Sequence, residues 1–267
     1  MTGVVMLLDG PLQSWGGPAP GIYQRPTDSM PSLSGVIGIV ANALGRKRLD
    51  GIGDLAIGAE LAVRADRPGT LVTDFHTVGT AGRFALTADK GNQLKNPVVT
   101  HRQYLADAAF LAVYTPPPDG AAPEMVFDAL LEPARPLYLG RRSCPPGERI
   151  AVVLTGDRSA REVLEQAALL RSPHGGTPRP TTDSGFYDRA GNEGQTIPVL
   201  VEMSAPSSAD PLEVAARQDS PTTFDPRRLY HLDRKVTREQ MYLPETACVG
   251  RGLAGAKALY ESLGASP

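Results

Sequence analysis

Val4-Val5-Met6-Leu7-Leu8, followed at once by Asp9-Gly10-Pro11, spells a buried strand running into a turn. Five β-branched or long apolar residues in a row suit a strand covered on both faces. Residues 16–31 are rich in Gly and Pro and read as loop. Pro31-Ser32 then offers a helix start. Val36, Ile37, Ile39, Val40, Ala43 and Leu44 follow at helical spacing, and Gly45 supplies the stop.

Further out, Ala59 to Ala65 and Thr70 to Val78 read as two strands joined by a turn at Arg67-Pro68-Gly69. Residues 79–100 hold Gly79, Gly82, Lys90, Gly91, Asn92, Lys95 and Asn96 and offer little to bury, which predicts a protruding hairpin or a mobile loop. Phe110 to Tyr114 is a further strand, broken by Pro116-Pro117-Pro118. Glu124 to Glu132 suits a short helix; Leu137-Tyr138-Leu139 and Ile150 to Leu154 are strand-like. The order is strand, helix, strand, strand, hairpin, strand, helix, strand. That is the split β-α-β pattern of an α+β, ferredoxin-like domain with an inserted arm, spanning residues 1–155. A smaller β-rich C-terminal part over 156–247 holds an amphipathic helix at Ala160 to Leu170. Its strands are expected at Ile197 to Met203 and Leu229 to Tyr242, and its Gly/Pro/Thr-rich loop at 172–194 is expected to be poorly ordered. The tail, 248–267, is either helical, over Ala254 to Leu263, or disordered.

Composition bounds the function. The chain has 267 residues, 41% of them hydrophobic, enough for a core. Lys+Arg 27 against Asp+Glu 29 gives a net charge of −2, which excludes a polybasic nucleic-acid binder but not a local basic groove. Gly 28 and Pro 25 make up about a fifth of the chain, against roughly 12% on average, and so argue against a helical bundle. Cys144 and Cys248 cannot build a disulfide framework or a four-ligand zinc site. His76, His101, His174 and His231 show no metal-ligand spacing. The N-terminus lacks the features of a signal peptide, and no apolar run approaches the ~20 residues of a membrane span. The expectation is a soluble, cytoplasmic protein without cofactor or metal and without membrane contact.

Phosphate-loop, nucleophile-elbow, metalloprotease and calcium-loop motifs are absent. Gly35-Val36-Ile37-Gly38 follows a helix start rather than a strand and is no dinucleotide fingerprint. Three clusters carry chemistry. In Gly10-Pro11-Leu12-Gln13-Ser14-Trp15-Gly16, Trp15 either stacks on a base or plugs the edge of the core. In Pro31-Ser32-Leu33-Ser34-Gly35, the hydroxyls either cap the helix or leave its amides to hold a phosphate. In Leu139-Gly140-Arg141-Arg142-Ser143-Cys144-Pro145-Pro146, the paired arginines either clamp phosphates and stack on bases or form a solvated pair. Asp74-Phe75-His76-Thr77 is a weaker fourth.

Taken in order, these strings resemble the CRISPR-associated CasD family, subunits of the type I-E Cascade complex. The resemblance is carried by the strand leading into Gly10-Pro11-Leu12-Gln13-Ser14-Trp15-Gly16, then Arg25-Pro26-Thr27, Ser32 to Gly38 and Leu44-Gly45. It continues through Asp74-Phe75-His76-Thr77-Val78, Arg102-Gln103-Tyr104-Leu105-Ala106-Asp107-Ala108-Ala109-Phe110 and Tyr138 to Pro145. It covers residues 3–150 well and the strand near Leu229 to Leu243 loosely; 172–194 and 248–267 fall outside it.

The resemblance implies an RRM-related, ferredoxin-like fold with a β-hairpin thumb at about residues 79–104. It also implies a non-catalytic RNA-binding subunit that caps the 5′ handle of CRISPR RNA. Its partners would be the repeated backbone subunit, the large subunit and the other Cascade subunits, with target DNA reached through the complex. On this reading Arg141 and Arg142 bind handle phosphates or a flipped base, with Ser143 beside them. Ser34 and Gly35 hold a phosphate, Gln13 and Trp15 line the pocket, and Arg25 enters from the loop. Arg102 and Tyr104 hold the base of the arm and the adjoining nucleotide. The alternative is a metal-independent endoribonuclease cutting CRISPR repeat RNA, as in the type I-C branch, with His76, Lys90 or Lys95, or Tyr23 supplying base and acid.

Overall fold

The computed structural model describes residues 1–16, 23–78, 98–170, 196–206, 210, 213–225, 231–244, 247–250 and 252–265. Strand β1 (Val4–Gln13) begins on the expected apolar run but does not turn at Asp9-Gly10-Pro11; it runs on to Gln13 because Asp9, Gly10 and Leu12 stay paired to the long strand over residues 98–115. Val4, Met6 and Leu8 enter one core and Val5 and Leu7 the other. Each such side chain, fully buried, contributes roughly 1.5–3 kcal/mol. A two-residue strand, β2 (Gln24–Arg25), follows, then helix α1 (Leu33–Ala43), which starts where the sequence places it. Ser32 is its N-cap, with Oγ accepting from the Gly35 amide.

A one-turn helix, α2 (Gly53–Ala56), leads into β3 (Glu60–Arg67), β4 (Thr70–Val78) and β5 (Val98–Thr115). Helix α3 (Pro123–Leu131) begins on Pro at its first position, where the missing N–H costs nothing. It returns the chain to β6 (Ala151–Leu154). The strands β6-β1-β5-β3 lie side by side, all antiparallel, with α1 and α3 as crossovers. This is the split β-α-β arrangement expected from the element order.

The remaining elements continue the same sheet. Helix α4 (Ala160–Gln166) precedes β7 (Thr196–Ser204), β8 (Val214–Pro221) and β9 (His231–Pro244), and α5 (Gly252–Ser262) follows. The nine strands among the described residues run β6-β1-β5-β3-β7-β9-β8, with β2 and β4 both paired to β5. The fold is therefore α+β, a large antiparallel sheet with few helices. Helices α1 and α3 cover one face, and α4 and α5 cover the other.

Strand β5 is the axis of the molecule. β1 pairs with its residues 105–114, and β2 continues that edge parallel at His101 and Arg102. β3 pairs with 109–115 on the opposite edge, and β4 takes over that edge from 98 to 106. The handover falls at Asp107, which adopts a left-handed conformation (φ 55°) and whose carbonyl accepts from Arg67 Nε at 3.3 Å. Beyond it, β4 stands clear of the helices, with Leu71, Val72 and Phe75 exposed.

Several expectations need correction. Leu137-Tyr138-Leu139 is not a strand: Leu139 N–H donates to Cys144 O at 2.7 Å, and Leu139 O accepts from Ser14 N–H at 3.0 Å, forming a tied-down loop. The helix expected over 160–170 stops at Gln166. The chain then extends, because Leu169 bridges to Cys248 and Arg64 takes the carbonyls of Leu164, Ala167 and Ala168. The segment before Phe110 is not separate but belongs to the 18-residue β5. β2 and β8 have no counterpart in the expected order. Of the arm, residues 98–104 belong to β5, and 79–97 lie outside the described residues, as does 172–194.

Candidate functional site

Two loops and one face of α1 form a cleft of about 510 Å³. From α1 come Ser34, Gly35, Gly38, Ile39 and Asn42; from the α3–β6 loop come Arg135, Pro136, Tyr138, Gly140 and Arg142; Phe224 closes it from beyond β8. Three of the sequence-derived residues, Ser34, Gly35 and Arg142, thus meet at one place. Arg142 is exposed and has no hydrogen-bond or ion-pair partner among the described residues.

The paired arginines diverge. Arg141 turns away from the cleft. Its Nη1 donates to Gln103 O at 2.8 Å, and its Nη2 donates to Arg25 O at 2.8 Å and Pro26 O at 3.3 Å. Its guanidinium lies 4.8 Å from the centroid of the Tyr104 ring. Gly140 makes this turn possible: at φ +92° it sits where a Cβ would fall 1.6 Å from Ser14 O. Ser143 Oγ lies 3.4 Å from Tyr104 OH. Cys144 is buried behind the turn, and burial pushes its thiol pKa up, so it offers no thiolate to a ligand.

Gln13 and Trp15 are packed inside. Trp15 is 2% exposed and its indole N–H donates to Gln13 Oε1 at 3.0 Å. Gln13 Nε2 donates to Leu8 O and Ala108 O. A Cβ on Gly35 would stand 2.9 Å from the Trp15 ring, so Gly35 lets α1 lie on the indole. This pair forms the rear support of the cleft and presents no stacking face. Two of the first three α1 amides are also taken: Leu33 N–H donates to Asp219 Oδ2 at 2.9 Å and Gly35 N–H to Ser32 Oγ at 3.2 Å. At the cleft Ser34 therefore offers its hydroxyl, while Gly35, whose amide is engaged, lines the wall.

Arg25 and Arg102 are neighbours across the β2–β5 pair. Arg25 is exposed, and Arg102 is half-buried with Nε on Thr100 Oγ1 at 3.2 Å. His76 and Tyr23 are not brought together. His76 is on β4, 3.7 Å from the Asp74 carboxylate, while Tyr23 precedes β2, on the far edge of β5. Lys90 and Lys95 lie outside the described residues. Sequence reasoning missed Asn42, Arg135, Tyr138 and Phe224 as lining residues. Arg135 is held by Asn42 Oδ1 at 3.1 Å and by the carbonyls of Gly45 and Arg46 at the end of α1. A lone aromatic in the polar run before residue 225 carried no local signal for Phe224.

The model of the CRISPR-associated protein family Cas5 (Cas_Cas5) matches residues 3–236. The chain belongs to that family. Among curated relatives, this Cas5-family chain is 33% identical over 155 residues to the "CRISPR system Cascade subunit CasD" of Escherichia coli (strain K12). That match takes in 53% of this chain and 66% of the relative, just short of two thirds of the relative's length. Among solved structures, it is similar to a chain titled "CRISPR RNA-guided surveillance complex", with TM-score 0.76 and 28% identity, covering 98% of this chain and 99% of the other. A second, "Crystal structure of Cas protein", gives TM-score 0.58 and 27% identity over 94% and 99%. The resemblance seen in the sequence thus stands as family membership. Among the described residues no helix is long and apolar enough to cross a membrane.

Proposed function

We propose that this Cas5-family chain is a non-catalytic RNA-binding subunit of a type I-E Cascade effector complex, capping the 5′ handle of CRISPR RNA. It would thereby support guide-directed recognition of foreign DNA. The observation that carries this reading is the match, along almost the whole chain, to a chain of a CRISPR RNA-guided surveillance complex. The cleft adds chemical support. An unpaired guanidinium, a serine hydroxyl and two aromatic rings are the groups that hold splayed, single-stranded RNA, by charge on phosphate and by stacking on bases.

On this reading Arg142 and Ser34 contact RNA at the cleft, with Tyr138 and Phe224 as stacking partners, and the exposed Ser143 contacts it beside the cleft. Arg25 and Arg102 contact the backbone where it passes the arm. The β4–β5 hairpin is the thumb. Gln13, Trp15, Gly35 and Tyr104 support the site without touching the ligand. The repeated backbone subunit, the large subunit and the remaining Cascade subunits are the protein partners, and target DNA is reached through the guide.

The test incubates the purified chain with end-labelled CRISPR repeat RNA in EDTA and compares native and denaturing gels. Intact RNA with a shifted native band is expected, and Arg142→Ala weakens the shift. A discrete cut overturns the non-catalytic assignment. RNA left unshifted by both the chain alone and the assembled complex overturns RNA binding itself.

A further inference from the structure

The two adjacent arginines of the 139–144 turn face different parts of the molecule, and only one faces the cleft. Arg141 reaches the arm. Gln103 and Tyr104 lie on the stretch of β5 that pairs with β4, and Arg25 and Pro26 lie on the opposite side of the same stretch. Its guanidinium thus holds three carbonyls, one on β5, one on β2 and one just past β2, while its face covers the Tyr104 ring. The turn itself is anchored to the body through Ser14 N–H to Leu139 O and Gly147 N–H to Asp9 O. On one edge β3 gives way to β4 at Asp107, where the backbone turns left-handed, and on the other β1 stays paired to β5 out to Ala106 and Leu105. Arg141 adds a tie beyond those pairs, from the turn to Gln103 on β5 and to the β2 side of the same stretch.

We propose that Arg141 is a positioning residue, a strut from the cleft wall that sets the direction of the β4–β5 arm, while Arg142 alone of the pair touches RNA phosphate. The statement about Arg142 rests on the RNA-binding reading above; the statement about Arg141 does not. A planar fork with donors on both nitrogens fits this strut, and a lysine ammonium, a single point of charge, cannot reach both strands while covering the ring.

The test separates geometry from binding. In the full chain carrying Cys248→Ser, nitroxide labels are placed at Thr73→Cys on β4 and Asp119→Cys in the turn after β5, both exposed. The distance distribution between them is read by pulsed electron resonance. A single narrow distribution is expected for the parent and for Arg142→Ala. A broadened or shifted one is expected for Arg141→Ala and for the milder Arg141→Lys. In parallel, CRISPR repeat RNA is titrated over a salt series. Arg142→Ala lowers the slope of log K against log salt by about 0.7 for each phosphate it no longer neutralises. Arg141→Lys weakens binding at every salt concentration with the slope unchanged. An unaltered distance distribution in both Arg141 variants overturns the strut, whatever the RNA data show. A reduced salt slope in Arg141→Lys overturns the division of roles. If neither parent nor variants bind RNA, alone or in the assembled complex, the RNA-binding reading fails while the distances still decide the strut.

Discussion

At Gly140 a single hydrogen in place of a side chain decides whether the Arg141-Arg142 turn can form. The residue combines φ +92° with a Cβ position 1.6 Å from Ser14 O. Gly16 has a similar φ, +79°, but open space around the same position. The two glycines therefore separate backbone strain from collision. Gly16→Ala should cost about 1 kcal/mol, the ordinary penalty of a left-handed alanine. Gly140→Ala should cost about 2–5 kcal/mol, because β1 or the turn must also move. Urea unfolding midpoints of the two variants check this; equal losses would mean that the turn yields freely. The same scale explains Trp15. Its indole N–H is satisfied by Gln13 and its ring packs against Gly35, so burial leaves nothing unpaired and favours the inside.

Elements end where a tertiary partner intervenes. Strand β3 carries Arg64 and Asp66, both with side chains fully buried. Arg64 Nε donates to Asp66 Oδ1 at 2.6 Å and Nη2 to Asp66 Oδ2 at 3.0 Å, and Nη1 and Nη2 also take the carbonyls of Leu164, Ala167 and Ala168. Asp66 Oδ2 accepts the Leu170 amide at 2.9 Å. The pair is thus the reason α4 stops and the chain runs on to meet Cys248. Arg64→Met removes the counter-charge of a buried carboxylate and the shared donor of three carbonyls. It should destabilise by about 3–5 kcal/mol, and Asp66→Leu added to it should recover part of that loss, since a buried charge alone is worse than none. A double-mutant cycle on denaturation midpoints measures both; a loss under about 1 kcal/mol for the single variant would refute the role given to Arg64.

Across the whole molecule, a charged lattice joins the late hairpin to the early helix. Arg217 donates to the Glu202 carboxylate, to Asp28 Oδ2 at 2.9 Å and to Met30 O at 2.8 Å. Asp219 takes two bonds from Arg234 and also accepts the first amide of α1. The hairpin β8–β9 is held in this way against the start of α1, and Phe224 beyond β8 closes the cleft. Asp219→Asn keeps the shape but removes the charge facing two arginines. It should cost about 3 kcal/mol. Hydrogen exchange should quicken together in peptides covering residues 33–36 and 214–221. Faster exchange in only one of the two would show that the hairpin and the helix are held independently.

Much of this protein was legible in local pattern. The apolar run that starts β1, the capped start of α1 and the helix near Glu124 need only near neighbours along the chain, and these formed where the local pattern put them; the end of β1 did not, because pairing to β5 carries it through Asp9-Gly10-Pro11. The order of strands and helices up to residue 154, and the strings that carry the family, are equally local. The rest depends on partners far apart in sequence. β8 was invisible because its inward residues, Arg217 and Asp219, are charged, and they are buried only because Glu202, Asp28 and Arg234 meet them there. Arg141 and Arg142 are indistinguishable as neighbours in sequence. One becomes a strut and the other a free cation because Gly140 turns the chain beside Ser14, and the carbonyls of Arg25 and Gln103 lie within reach of only the first.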